Sequence, residues 1–377
     1  MEIAPLLKGY NLKNLTIGML GGHSALDTAH GAKQFDFHTV CVARKGREKT
    51  YEKYYKTRDE KGCIDEVIIV HDFQDILKDE VQQKLRKLNT VFVHSRYFWV
   101  YFKDFARVED EFQVPIVGSR HLLRLEERDQ FFNQYHLLKK AGIRTPRVFE
   151  KSKDIDRPVI VKASEAMRGY ERAFFIVSSV KEYEKTGKKL EKARKISKEW
   201  RQAPIEEFIV GAPVNFNFFY SPLTGELELL GTDTRRQTNL DGFLRMTAED
   251  QMTALKHFPL KMIETGHIAC TVKESLLERA FELGEKFVKA TQALPKKIDP
   301  GGKGIIGPFA LQGAVVAEEG REDIIIFDVS FRIPGSPGTA ATPYSGYLHG
   351  SSMSMGERLA MEVRRAVEEK RLEEIVT

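Results

Sequence analysis

The chain has 377 residues, of which 42% are hydrophobic, so it can bury the core of one large domain or the cores of two to three ordinary ones. Its formal net charge of +5 is mild, and the sequence lacks the dense basic stripe with interleaved aromatic residues that is typical of nucleic-acid binding. The three cysteines are odd in number and far apart, and no apolar run approaches the ~20 residues of a membrane span. We therefore expect a cytoplasmic protein without nucleic-acid or membrane partners.

The first third of the chain alternates predicted strands with predicted helices. Apolar segments separated by amphipathic ones indicate a doubly wound parallel sheet that is covered on both faces. The predicted strands are 15–20, 37–43, 65–70, 90–94 and 114–118, and the predicted helices are 24–33 and 73–88.

After a predicted helix at 122–141 the pattern changes. Polar and apolar residues alternate in the later strands, as they do in antiparallel strands with one face in water. The predicted strands are 158–164, 172–178, 204–211, 214–221, 226–233, 305–316 and 323–333, and a final helix is predicted at 356–369. The sequence therefore predicts an α/β protein in which a parallel sheet is followed by an α+β region.

The turn after the first strand reads GGHSALD and offers the first candidate site. Ser24 is predicted to cap the following helix with Asp27 as its reciprocal partner, which leaves helix N–H groups facing a ligand such as phosphate. The spacing is not the G-x-G-x-x-G of dinucleotide-binding turns, and the basic residues at 44–47 favour a phosphate monoester. The alternative is a structural turn in which His23 is incidental.

Polar residues at the ends of other strands offer further candidates. His94 and Ser95 follow a parallel strand and are expected to share the edge of the sheet with His23. Lys162 lies on an apolar strand, where burial requires an anionic partner such as phosphate. The alternatives are a loop histidine that is satisfied by its surroundings and an ordinary antiparallel strand pair.

The late strands carry candidate oxygen ligands. Gln312 and Asp328 have apolar neighbours, and hard cations such as Mg²⁺ take oxygen ligands together with nucleotide phosphates. Arg332 is placed to reach a phosphate, and Asn239 lies in a polar turn that offers an amide contact to substrate. A buried hydrogen-bonded pair and a plain hairpin loop are the respective alternatives.

Several stretches taken together resemble the archaeal formate-dependent 5-formaminoimidazole-4-carboxamide ribonucleotide synthetases, a family with the ATP-grasp fold. The resemblance covers nearly the whole chain. It rests on GGHSALDTAHGAK, TVCVARKGRE, IEEFIVGAPVNFNFFYSP, ELLGTDTRRQTNLDGFLR, GPFALQ and PYSGYLHGSSMSMGERLAMEV. It implies ATP-driven formylation of the amine of 5-aminoimidazole-4-carboxamide ribonucleotide through formyl phosphate, which is a late step of purine biosynthesis.

The resemblance also implies roles for individual residues. His23 is implied as a catalytic residue that holds the ribonucleotide or orients formyl phosphate, without acting as a general base. The resemblance implies that Ser95 and Asn239 contact the ribonucleotide, that Glu206 lies near ATP, and that Gln312 and Asp328 bind Mg²⁺ or Mn²⁺. From the residues themselves we also expect contacts with the ribonucleotide and with ATP, the former from Ser24, His94 and Arg332 and the latter from Lys162, Glu207 and Ile209. The family further implies a homo-oligomer whose partners are small molecules, namely formate and the ribonucleotide.

The expected domains are a Rossmann-like substrate-binding domain at 1–121 and an ATP-grasp domain at 122–377. Within the latter, a mobile lid is expected at about 145–210 and a catalytic subdomain at about 211–377. After Lys162 the family carries a glycine-rich phosphate loop, whereas this chain has SEAMRGYERAFF. Side chains obstruct the close approach of backbone to phosphate, so two alternatives stay open: a paralogue that binds nucleotides without turnover, and an ATP-grasp ligase for another amine or carboxylate. A nicotinamide-dependent reductase is a third, suggested by the parallel sheet alone.

Overall fold

The computed structural model of the chain describes residues 3–102, 104–127, 130–163, 174–258, 260–318 and 320–377. Its first sheet is parallel and has the strand order β3-β2-β1-β4-β5, as the alternating pattern predicts. The strands are β1 Thr16–Leu20, β2 His38–Arg44, β3 Glu66–Val70, β4 Thr90–Val93 and β5 Ile116–Val117. The accompanying helices are α1 Ile3–Leu7, α2 Ala25–Gln34, α3 Asp79–Lys87, α4 Arg96–Tyr101 and α5 Phe105–Glu111.

Both faces of the parallel sheet are buried, as the doubly wound arrangement requires. Successive residues of a strand point to opposite faces. Cys41 and Ala43 of β2 therefore join one core with α2, while Val40 and Val42 join a second core with α3. All four residues are fully buried, which explains why these strands are continuously apolar.

The remaining strands form two antiparallel sheets. The larger has the order β12-β11-β10-β13-β14 and the smaller the order β6-β9-β7-β8. The strands are β6 Val148–Phe149, β7 Val159–Lys162, β8 Phe174–Val177, β9 Ile205–Glu207, β10 Ala212–Ser221, β11 Glu226–Gln237, β12 Glu264–Cys270, β13 Gly307–Glu318 and β14 Arg321–Ser330. The helices are α6 Gln134–Lys140, α7 Val180–Lys192, α8 Leu240–Phe243, α9 Ala248–Leu255, α10 Leu277–Gln292, α11 Tyr344–His349, α12 Met355–Glu368 and α13 Leu372–Ile375.

Two predicted helices differ from the structure. The helix predicted at 73–88 is a 3-10 segment, Phe73–Leu77, followed by α3, because Lys78 between them is extended, with ψ of 138°. The helix predicted at 122–141 was also wrong: a 3-10 segment, Leu123–Glu126, and α6 are separate. Asn133 begins α6 by accepting a hydrogen bond from the Tyr135 amide, which starts a new helix rather than continuing the first.

The structure also contains elements that the sequence analysis did not predict, namely β6, β12, α1, α4, α5, α8 to α11 and α13. The strand β12 carries a glycine and is only partly buried, so it lacks a clean alternation. The helix α10 has buried residues at helical spacing, and this periodicity was available in the sequence. Within the described ranges, no helix combines the length and the apolar character needed to cross a membrane.

Candidate active site

The first part of the site is the turn between β1 and α2, which holds His23. This residue adopts a left-handed backbone conformation with φ of 49°, which is uncommon for a residue with a side chain and is often found at functional positions. Its ring packs against Gly335, where a Cβ atom would lie 2.3 Å from Cε1 of the ring. Burial, and then the charges of Arg332 and Arg96, lower the pKa of His23 well below its ordinary value. The ring is therefore neutral at neutral pH.

The capping box predicted for α2 was wrong. Ser24 precedes the helix, but its hydroxyl donates to the Pro334 carbonyl at 2.8 Å and makes no capping bond. The Asp27 carboxylate accepts a hydrogen bond from the Gly356 amide at 3.1 Å. Both side chains therefore bind distant segments of the chain, and these tertiary contacts replace the local ones.

The end of β4 brings His94, Ser95 and Arg96 to the same edge of the sheet. Since β1 and β4 are parallel neighbours, their carboxyl ends meet beside the turn that carries His23. His94 is buried, and burial followed by the charge of Arg332 lowers its pKa to about 4. Ser95 begins α4 by accepting a hydrogen bond from the Tyr97 amide at 3.4 Å.

The larger antiparallel sheet supplies the opposite wall, centred on Asp233 of β11. This carboxylate is 1% exposed and accepts hydrogen bonds from Asn215 Nδ2 at 2.8 Å and Asn217 Nδ2 at 2.6 Å. It also contacts Nδ1 of His267. Burial raises the pKa of Asp233, but these partners, with His267 first, outweigh burial and hold the pKa below its ordinary value. Asp233 is therefore ionised.

His267 of β12 lies between two carboxylates. Its Nε2 is 3.2 Å from Glu264 Oε1, while Nδ1 contacts Asp233. Burial lowers the pKa of His267, but the two carboxylates outweigh burial and raise the pKa to about 9. The other oxygen of Glu264 is 3.3 Å from Arg235 Nε and 4.0 Å from Arg96 Nη1. A charged cluster thus joins β11 and β12 to the edge of the parallel sheet.

Arg332, just after β14, forms a buried ion pair with Glu126. Its Nε lies 3.4 Å from Glu126 Oε1, and that oxygen also accepts a hydrogen bond from the Phe331 amide at 2.8 Å. Gln134 accepts from the Val329 amide at 2.7 Å. Glu126 and Gln134, which lie in the chain between the parallel sheet and β6, therefore hold the end of β14. Glu126 also fixes Arg332 in the cleft.

The proposed metal ligands Gln312 and Asp328 are cross-strand neighbours on β13 and β14. Gln312 Oε1 accepts a hydrogen bond from Arg235, and Gln312 Nε2 donates to Ser330 Oγ at 2.8 Å. Asp328 Oδ2 lies 3.9 Å from the same guanidinium. Their oxygens suit a hard cation that completes its shell with phosphate, although Arg235 now contacts both side chains.

Lys162 and Glu206 form the second group that the structure brings together. Their Nζ and Oε2 atoms are 2.6 Å apart, and Glu206 is 1% exposed. Lys162 Nζ also donates to Tyr135 OH at 3.2 Å and to the Phe327 carbonyl at 3.4 Å. Because Phe327 precedes Asp328, this lysine adjoins the proposed metal ligands.

Three predicted residues do not join these groups. Glu207 lies on the face of β9 opposite Glu206 and pairs with Arg157 at 3.1 Å. Ile209 follows β9 and is partly exposed, and Asn239 accepts a hydrogen bond from the Lys261 amide at 2.6 Å. Most of the altered phosphate loop, residues 164–173, lies outside the described residues.

Several of these groups line one cleft between the parallel sheet and the larger antiparallel sheet, whereas other predicted residues lie outside its lining, namely Ser24, His94, Ser95, Lys162, Glu206 and Asp328. Three arginines and the protonated His267 face the carboxylates of Asp233 and Glu264, so the lining has a net positive charge. The cleft is lined by His23, Arg96, Asn215, Asn217, Asp233, Arg235, Glu264, His267, Ala310, Gln312, Ser330, Arg332, Pro334, Gly335 and Ser336. Such a lining is suited to a small anion or a phosphate ester.

The sequence analysis missed much of this lining, including Asp233, His267, Glu264 and Arg235. One signal was present: in VNFNFF the two asparagines fall on one face of an otherwise apolar strand, which suggests a buried polar site. The remaining residues could not be found from spacing, because they meet only when β11, β12 and β4 come together.

Two family models match the chain. One is described as a protein of unknown function, DUF1246, over residues 17–149, and the other as a domain of unknown function, DUF1297, over residues 182–377. Curated relatives named 5-formaminoimidazole-4-carboxamide-1-(beta)-D-ribofuranosyl 5'-monophosphate synthetase come from Methanopyrus kandleri and Methanocaldococcus jannaschii. The first is 38% identical over 100% of this chain and 99% of its own. The second is 36% identical with the same coverage. The chain belongs to this synthetase family.

Solved structures agree with the family. The crystal structure of an IMP biosynthesis protein, PurP, from Thermococcus kodakaraensis has a TM-score of 0.67 and 25% identity, covering 96% of this chain and 100% of that one. An ADP complex of PurK, N5-carboxyaminoimidazole ribonucleotide synthetase, has a TM-score of 0.57 and 12% identity, and the match covers 93% of this chain and 77% of that one. At this identity the likeness supports the fold alone. The ATP-grasp fold is confirmed, and membership of the synthetase family overturns the reductase alternative.

Proposed function

We propose that the protein is an ATP-dependent carbon–nitrogen ligase that formylates the amine of 5-aminoimidazole-4-carboxamide ribonucleotide with formate. The observation that carries the proposal is the net positive cleft, which the carboxyl edge of the parallel sheet shares with the antiparallel sheet. Lys162, which pairs with Glu206, donates to the Phe327 carbonyl. The next residue, Asp328, approaches Arg235 in the lining of the cleft. Family membership supports the ribonucleotide as the substrate.

The cleft residues act by position and charge. ATP first transfers its terminal phosphoryl group to formate, and the amine then attacks the carbonyl carbon of formyl phosphate. Arg96, Arg235 and Arg332 neutralise the phosphate groups and hold them in place, which is the main demand of this chemistry. His23 is neutral and supplies a hydrogen bond to the ribonucleotide, so it fixes the substrate without adding charge.

The ATP and metal residues stand as part of the same proposal. Lys162 supplies a cation for ATP phosphate, and Glu206 beside it supplies an acceptor for a nucleotide amine or hydroxyl. Gln312 and Asp328 would hold Mg²⁺ or Mn²⁺, which neutralises phosphate charge when it is bound. Six further contacts remain predictions, namely those of Ser24, His94, Ser95, Glu207, Ile209 and Asn239. The domain limits, the cytoplasmic location and the homo-oligomer also remain predictions.

A turnover assay tests the proposal. The purified protein is incubated with ATP, Mg²⁺, radiolabelled formate and the ribonucleotide, and ADP, phosphate and formylated product are measured. We expect the three to form in equal amounts. Lys162→Met should abolish their formation, and Lys151→Met, an exposed lysine, is the matched control. Absence of both ADP and product at saturating substrates would refute the proposal.

A second candidate is a paralogue that binds nucleotides without turnover. It is favoured by Arg235, whose guanidinium contacts Gln312 and approaches Asp328 where a cation would bind. Calorimetry with ATP and the ribonucleotide separates the two functions. Tight binding without ADP release selects the paralogue, whereas ADP release rejects it.

A further inference from the structure

Asn217, in the middle of β10, has both of its amide hydrogens engaged. Its Nδ2 donates to Asp233 Oδ2 at 2.6 Å and to the Gly231 carbonyl at 3.3 Å. Its Oδ1 is buried and has no hydrogen-bond partner among the described residues. The residue is 1% exposed and lines the cleft. A buried amide oxygen is costly to leave unpaired, so its position in a cleft points to a ligand that donates to it.

The orientation of this amide is determined by chemistry. An ionised carboxylate and a backbone carbonyl can only accept hydrogen bonds. If the amide were rotated by half a turn, its oxygen would face the oxygens of Asp233 and Gly231 and its two donors would lose their partners. Asp233 therefore forces the Asn217 oxygen to be the group that is offered to a ligand.

The oxygen is also unusual in its surroundings. The cationic residues of the cleft, namely Arg96, Arg235, Arg332 and protonated His267, all present donors. Those groups bind anions, and none of them can accept a hydrogen bond from an N–H group. The carboxylates of Asp233 and Glu264 are engaged with His267 and with neighbouring side chains. Asn217 Oδ1 is thus an uncharged acceptor without a partner among the described residues, in a cleft whose cationic groups can only donate.

We propose that Asn217 Oδ1 accepts a hydrogen bond from the amine that is formylated and orients its nitrogen lone pair towards the formyl carbon, with Asp233 as the positioning residue. This assignment rests on the proposed function and names the group that holds its nucleophile. The C–N bond forms as the C–O bond to phosphate breaks. The electron pair of that bond leaves with phosphate, which also takes up the proton that the nitrogen loses. A neutral acceptor orients the amine without protonating it.

The test measures how ADP formation is coupled to formylation. Formyl phosphate that is not captured by the amine hydrolyses, so a misplaced amine leaves ADP formation running while product is lost. The wild type should form about one ADP per formylated product. Asn217→Leu keeps the size of the side chain and removes the acceptor, and it should lower product formation roughly hundredfold while ADP formation persists. The control is Thr232→Val on β11, which removes a hydrogen bond from the Thr232 hydroxyl to the Cys270 carbonyl. This variant should still form about one ADP per formylated product.

Asn217→Asp supplies a second readout that a structural role would not move. The new carboxyl lies beside ionised Asp233, so its pKa is raised, and when protonated it donates to Asp233 and still offers a carbonyl oxygen. The ratio of product to ADP in Asn217→Asp should therefore rise towards that of the wild type as the pH is lowered. If Asn217→Leu still forms one product per ADP, or if its only defect is a higher KM for the ribonucleotide, the role assigned to Asn217 is overturned. The proposed function would not be affected by that result. A wild type that forms neither ADP nor product would overturn the proposed function and the assignment with it.

Discussion

His267 is charged because of its neighbours, and this could not be deduced from its place in the sequence. An isolated buried histidine is expected to be neutral, as His23 and His94 are. His267 is also buried, but Asp233 and Glu264 contact both of its ring nitrogens and favour the imidazolium. The cleft therefore combines neutral and charged histidines, and the neighbouring side chains determine which is which.

The first prediction concerns the pH dependence of stability. The pKa of His267 is about 9 in the folded protein and near 6.5 when unfolded, so the folded state holds the proton more tightly. The stabilisation that protonated His267 adds to the free energy of unfolding is complete below about pH 6.5. It declines above that pH and is lost near pH 9. Urea unfolding should show that His267→Gln removes about 2 kcal/mol at about pH 6 and little at about pH 9. His257→Gln, at an exposed site, should follow the wild type; an equal loss in His267→Gln at both pH values would contradict the prediction.

The second prediction concerns His23. His23→Ala removes one hydrogen bond from a neutral ring, so the Kd of the ribonucleotide should rise about tenfold, while the Kd of ATP should not change. Titration calorimetry measures both constants. His30→Ala, an exposed residue of α2, is the matched control. Unchanged ribonucleotide binding in His23→Ala would remove His23 from the site.

At the scale of elements, α12 is attached to the antiparallel sheet by a buried charged network. Arg358 donates to both oxygens of Glu228 of β11, each at 2.7 Å, and to Glu362 at 2.9 Å. Its guanidinium also lies 4.1 Å from the ring centre of Phe219. Ser221 donates to the other oxygen of Glu362. The partners satisfy one another, so removing one of them leaves buried charges without compensation.

The third prediction compares two arginines of α12. Arg358→Met should lower the free energy of unfolding by about 3–5 kcal/mol, because Glu362 stays buried without its cation and Glu228 keeps only its contact with His349. Arg365→Met removes an exposed, solvent-screened pair with Glu369 and should leave the free energy of unfolding nearly unchanged. Chemical denaturation of both variants measures the difference. Similar costs for the two variants would show that the buried network does not hold the helix.

At the scale of the whole molecule, α12 also packs directly on α2, so it connects the antiparallel sheet to the parallel sheet. The contact depends on glycine, since a Cβ atom on Gly31 would lie 2.1 Å from the backbone carbon of Gly356. A Cβ atom on Gly356 would lie 2.1 Å from the Asp27 carbonyl oxygen. The two helix backbones therefore touch, and the turn with His23 is held in place against the other wall of the cleft.

The fourth prediction tests this contact. Gly31→Ala forces the helices apart and should destabilise the protein by about 1–3 kcal/mol, despite the better helix propensity of alanine. Gly242→Ala is the matched control, because that helical glycine has no neighbouring atom within 4 Å of an added Cβ. The control should be neutral or slightly stabilising. Thermal unfolding measures both, and an unchanged Gly31→Ala protein would show that the helix contact tolerates separation.

Periodicity was a sufficient guide to the strands of the parallel sheet, although not to all of its helices. Continuous apolar segments such as that of β2 are produced by burial on both faces, and this signal is local. The helix predicted at 122–141 failed because Glu126 and Gln134 bind backbone amides of the β14 region instead of continuing one helix. These hydrogen bonds join residues about two hundred positions apart, and they outweighed the local preference for one continuous helix. A short stretch of sequence cannot show such contacts.

The sequence by itself determined the class of fold and the family, because hydrophobic patterning and the quoted motifs are properties of short segments. It also pointed to His23, Lys162, Gln312 and Asp328 as residues worth attention. Only the tertiary structure decided which groups share a cleft, which histidine is charged and which atom of the Asn217 amide is left without a partner among the described residues. Those properties arise from neighbours on β10, β11 and β12, since burial and nearby charge act through space and not along the chain.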